Sequence, residues 1–173
     1  MIQQLLIKTV LTVLLVAWAI SPYFDDASNE SILRELSRIG ILRSILVGVG
    51  FFVMVGFYCV SLQKCLQLIQ PENRKVHPRS VWYMFAIPFN FVEDFFIVIH
   101  LAHSLDTERK HNPKLATMRD TGLYTGIGWS LAQVLSFIPS MVGQLAGLIG
   151  MILMVYHWIT IVRINRLLQK QEA

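Results

Sequence analysis

The sequence predicts an all-α integral membrane protein: a bundle of four transmembrane helices plus one broken amphipathic or re-entrant segment, with five transmembrane helices as the alternative. Three observations lead there. The chain is 54% hydrophobic and only 15% charged, with a mean hydropathy of +0.54, whereas soluble domains carry about 25% charged residues. So few charges cannot coat a water-exposed surface of this size. The apolar residues gather in five stretches, 5–24, 41–69, 81–105, 121–138 and 141–165, and a helix needs roughly 20 apolar residues to cross a bilayer core. The 173 residues form one membrane domain, and most Lys and Arg residues lie between or after the stretches, where topology-setting charges belong.

The first stretch has a signal-like start, Lys8 followed by an apolar run and the small-x-small triplet Ala17-Trp18-Ala19. We read it as a retained first membrane helix. Asp25, Asp26 and Asn29 end it, and residues 31–43 read as a short amphipathic helix with Ile32, Leu33, Leu36 and Ile39 on one face. In the second stretch, Gly48, Gly50 and Gly56 permit close approach of a neighbouring helix. Pro71 stops it. Cys59 and Cys65 point about 120° apart on this helix, so they serve packing rather than a disulfide or a metal. The fourth and fifth stretches form a hairpin about Pro139. Gly122/Gly126 and Gly143/Gly147 are small-x-x-x-small helix-packing pairs, and Gln133 and Gln144 stand at matching distances from the turn, placed to bond across it.

The third stretch is the anomaly. Pro88 interrupts it, and Asn90 with Glu93 forms the N-x-x-E pattern that starts a helix, so a break is predicted near 88–90. Each acid of the Glu93-Asp94 pair costs about 2.5–3.5 kcal/mol at mid-bilayer, enough to cancel what the apolar residues return. Asn90, Glu93, Asp94, His100 and Ser104 share an arc of about 120° at helical spacing, with Phe91, Val92, Phe95, Phe96, Ile99 and Ala102 opposite. Such a helix either lies at the interface or stands in the bilayer with its polar stripe towards other helices. If it does not cross, every Lys and Arg except Arg34, Arg38 and Arg43 falls on one side. The positive-inside rule then favours four full spans with a cytoplasmic C-terminus.

The Asn73-Arg74 turn, Pro78, Trp82 and the break Ile87-Pro88-x-Asn90 resemble a type of uncharacterised small bacterial multi-helix inner-membrane protein, over about a third of the chain. The resemblance implies the bacterial cytoplasmic membrane and transfers no catalytic residue.

No hydrolase, zinc-protease or P-loop motif is present, and there is no basic surface interleaved with aromatics for nucleic acid. The expected function is a non-enzymatic accessory, assembly or scaffold subunit, whose partners are the lipid bilayer and a membrane protein or a second copy of the chain. One alternative is a small transporter or channel using the acids of the polar stripe. The other is a haem- or metal-binding redox subunit with His100, His103 and His157 as ligands, although no cofactor is predicted. Arg74, Lys75 and Arg79 form a basic loop for anionic lipid or a partner.

Overall fold

A computed structural model describes residues 2–21, 40–85, 90–116, 118 and 120–169. Every regular element among them is helical. Helix α1 spans Ile2–Ile20 and α2 spans Ile41–Leu68. After two 3-10 helices, Pro71–Asn73 and Pro78–Phe85, come α3 (Asn90–His111), the single turn α4 (Pro113–Ala116), α5 (Leu123–Leu135) and α6 (Met141–Gln169). Residues 31–39 of the amphipathic segment expected at 31–43, and the Pro88 position, lie outside the described residues.

Among the described residues two helices are long and apolar enough to cross a membrane, Ile45–Leu68 of α2 and Met141–Gln169 of α6. Helix α5 has 13 residues, about 20 Å of rise, which is shorter than the expected 121–138. The chain starts α5 only after Gly122, whose φ of +81° ends helical geometry on that side. It leaves α5 at Ser136, where a turn carries it into α6.

Helix α3 is described from Asn90 and continues past residue 105 to His111; residues 86–89, where the break is expected, lie outside the described residues. The apolar residues 81–85 lie in a 3-10 helix rather than an α-helix. The fold encloses α3. From Phe91 to Ala102 no residue is exposed, because α1, α5, the 78–85 turn and part of α2 pack around it. Asp94, Ile97, Leu101, Ser104, Leu105 and Glu108 are all buried. They recur every three or four residues, so they form one face of α3. Ile97 and Leu101 sit on the polar arc, and that arc is the inward face. Asp94 and Ser104 of the polar stripe thus face neighbouring helices.

The apolar core joins Leu62 and Leu66 of α2 and Ile69 just past its end to Met154, Ile161 and Ile164 of α6. Cys59 and Cys65 are buried free thiols, and Cys59 Sγ faces the Val81 carbonyl and the Met84 sulfur. The outer faces of α1, α2 and α6 are lined with exposed Leu, Ile and Val, as lipid-facing surfaces are.

Candidate functional site: the polar interior of the bundle

Three polar clusters are built around α3. The first joins it to α1. Lys8 Nζ donates to both carboxylate oxygens of Glu93, at 2.8 and 2.9 Å, and stands 4.6 Å from the centroid of the Phe96 ring. Both charges interrupt apolar runs, and pairing offsets the desolvation each suffers there. Lys8 is therefore a mid-helix partner of Glu93 rather than a terminal flanking charge. Each residue is legible alone as an isolated charge, and opposite charges in two membrane segments were the signal available for pairing them.

The second cluster lies at the centre. Asp94 is buried, and Gln133 of α5 lies against it. Asp94 Oδ1 and Gln133 Oε1 have no hydrogen-bond partner among the described residues. Gln144 is exposed, so the expected Gln133–Gln144 bond is not formed. Gly143, Ala146 and Gly150 occupy the buried side of α6, which rotates Gln144 outward. Close by, Tyr58 Oη and His157 Nδ1 share a hydrogen bond of 2.8 Å, fully buried between α2 and α6. Trp129 stands edge-on to Tyr58, with ring centroids 5.9 Å apart. Tyr58 and Trp129 were not expected in the site. Tyr58 lies 99 residues from His157, and nothing local in the sequence marks the pair.

Glycine makes this centre possible. A Cβ on Gly122 would lie 2.9 Å from His157 Nε2, and one on Gly126 would overlap Val98 and approach the same nitrogen to 3.1 Å. The Gly122/Gly126 pair thus packs α5 against α6 and α3. Gly143 packs against the Ile138 carbonyl of the hairpin turn, and Gly147 meets Ser136. All four packing glycines are used within the chain.

The histidines do not converge. His157 is held by Tyr58, and its Nε2 edge abuts the α5 backbone, which leaves no room for a porphyrin there. His100 leans on Phe96, and His103 is exposed. No cluster of three or more His, Cys, Asp or Glu placed to hold a metal occurs among the described residues.

The third cluster fastens the basic loop. Glu108, buried on α3, accepts from the Gln70 backbone N–H at 3.1 Å, from Asn73 Nδ2 at 2.8 Å and from Asn112 Nδ2 at 3.4 Å. Ser104 Oγ accepts from the Lys75 N–H and donates to the His100 carbonyl. Arg74 spends its guanidinium on the carbonyls of Ile69 and Gln67, which α2 leaves open at its end. Of the three basic residues expected to meet lipid or a partner, Arg74 is a helix cap, while Lys75 and Arg79 are exposed. Glu108 escaped notice in the sequence because it sits in the charged run Asp106–His111, which reads as solvated.

No family model, curated protein or solved structure matches the chain.

Proposed function

We propose that the chain is a non-enzymatic accessory or scaffold subunit of a bacterial cytoplasmic-membrane complex, crossing the bilayer four times with its C-terminus inside and α3 held at the centre. One observation carries the reading. On the first half of α2, Phe51 and Met54 pack against the core, while Leu42, Ile45, Leu46, Val47, Val49, Phe52 and Val53 are exposed over the rest of its surface. Gly48 and Gly50 lie on this half, and a Cβ on either would meet nothing within 4 Å. Glycine in a helix interior costs about 1 kcal/mol relative to alanine, and no contact among the described residues offsets it. In lipid, close approach of another helix is what such glycines permit. The partner is a transmembrane helix of a second protein or of another copy.

The test is native mass spectrometry from mild detergent, comparing the natural chain with Gly48→Leu and Gly50→Leu. The reading expects a mass above the 19.8 kDa of one chain and its loss in both variants. A bare monomer, or an assembly indifferent to both substitutions, removes the reading.

Asp94, buried with an unbonded carboxylate oxygen, favours a second reading: a small transporter or channel using Glu93 and Asp94. Flux into liposomes that survives Glu93→Gln with Asp94→Asn would exclude those residues from it.

A further inference from the structure

The 71–79 loop is fixed from within and basic without. Glu108 and Ser104 of α3 hold it through the Gln70 N–H, the Asn73 amide and the Lys75 N–H. On its outer side Lys75, His77 and Arg79 are exposed, alternating with half-buried Val76 and buried Pro78. The Arg79 backbone N–H donates to His77 Nδ1 at 3.2 Å, which puts the ring proton on Nε2 as a further donor. Neither Lys75 nor Arg79 is ion-paired among the described residues, and Glu72 is the one acid in the loop sequence. Donors on a fixed backbone, two of them unpaired cations, suit a phosphate oxygen.

The 3-10 helix Pro78–Phe85 carries this surface towards the apolar part of α2. Its side chains repeat every three residues. Pro78, Val81 and Met84 are the buried row, so Arg79, Trp82 and Phe85 form the row beside it. The Trp82 and Phe85 rings stack with centroids 5.8 Å apart, and Phe85 meets Phe52 of α2 at 6.3 Å. The row runs antiparallel to α2. Trp82 Nε1 donates to Gln63 Oε1 at 2.6 Å, whereas a Cβ on Gly56 would lie 3.9 Å from the Phe85 ring. Gln63 and Gly56 are two turns apart on α2, about 10 Å of rise, and a headgroup layer is about 5–8 Å deep. Trp favours the interface itself. With Trp82 there, Arg79 stands among headgroups and Phe85 among acyl chains.

We propose that this row binds one anionic phospholipid, with its phosphate on Lys75, His77 and Arg79 and one acyl chain along Trp82 and Phe85. The inference rests on the membrane placement proposed above and is independent of the partner helix. The two cations select a net-negative headgroup, because a zwitterionic lipid brings an ammonium group that they repel. The aromatic row selects a lipid over soluble phosphate or an acidic protein segment. One basic residue beside anionic lipid gains a factor of about five, and two gain about twenty-five.

The test is native mass spectrometry of the full chain in mild detergent, titrated with dioleoyl phosphatidylglycerol and, separately, with dioleoyl phosphatidylethanolamine. The expected result is one saturable phosphatidylglycerol adduct, about tenfold or more tighter than the phosphatidylethanolamine one. Lys75→Gln with Arg79→Gln brings it down to the phosphatidylethanolamine level. Arg163→Gln with Arg166→Gln, a pair of exposed cations on α6, leaves it unchanged, and excess inorganic phosphate does not displace it. Trp82→Ala weakens both lipids. Three results overturn the proposal: equal affinity for the two lipids; a phosphatidylglycerol adduct indifferent to the Lys75 and Arg79 substitutions, which gives the loop to water or to a protein partner; or displacement by inorganic phosphate, which makes it a site for soluble anions. Carbonate extraction checks the membrane placement separately. A chain washed out of membranes sinks that placement and this proposal with it, whereas a chain that stays and binds both lipids equally sinks this proposal alone.

Discussion

Removing the Lys8 charge should loosen α1 from the rest of the protein. Helix α1 rests mainly on α3, and the bidentate Lys8–Glu93 pair is its charged attachment. The side chains are 23% and 14% exposed, and the surroundings are apolar. Breaking a buried pair from one side costs about 3–5 kcal/mol, because the surviving charge is left uncompensated. A pair screened by water is worth only about 0–1 kcal/mol. Lys8→Met keeps most of the stem and should therefore destabilise by about 3 kcal/mol or more, including a smaller loss from the Phe96 contact. Glu93→Gln should act similarly. The double variant has no orphaned charge and should be no more destabilised than either single one, which requires a coupling of about 3 kcal/mol or more. A double-mutant cycle on reversible unfolding in bicelles measures it. Additivity within about 0.5 kcal/mol would refute the reasoning and place the pair at a water-exposed edge.

Gly126→Ala should destabilise by about 1–3 kcal/mol through overlap with Val98 and His157, whereas Gly48→Ala in the monomer should gain about 0.5–1 kcal/mol; thermal unfolding of the two reports the sign. Tyr58→Phe orphans His157 Nδ1 and should cost about 1–3 kcal/mol in the same assay. Glu108→Ala removes the acceptor that holds Gln70, Asn73 and Asn112, at about 1.5–3 kcal/mol for a hydrogen-bonded charge; limited proteolysis should then cut the 71–79 loop faster than in the natural chain.

Much of the fold is legible in the sequence, for physical reasons that differ by element. The second helix is bounded by its own chemistry, apolar from Ile41 to Leu68 and stopped before Pro71. Pro88 and the Asn90-x-x-Glu93 pattern are local signals of the same kind, acting within one turn. What the sequence leaves open is rotation about each helix axis. Gln133 and Gln144 are level across a hairpin, yet the glycine and alanine side of α6 faces α5 and sends Gln144 outward. The polar arc of α3 is visible at helical spacing, but its inward direction depends on Ile97 and Leu101, which share that face. Glycine pairs announce close packing without naming the partner: Gly122 and Gly126 meet His157 and Val98 of this chain, while Gly48 and Gly50 meet nothing among the described residues. Tyr58 with His157, and Glu108 with the 70–73 turn, are long-range contacts between residues that look ordinary in sequence.

The central claim is that the most polar helix is the most enclosed one. Hydrogen–deuterium exchange of the chain in lipid nanodiscs tests it most directly. The account predicts that amides of 91–105 in α3 exchange as slowly as those of the second half of α2, and far more slowly than the 71–79 loop. Rapid exchange along α3, with α2 and α6 still protected, would contradict it and return this helix to the membrane surface.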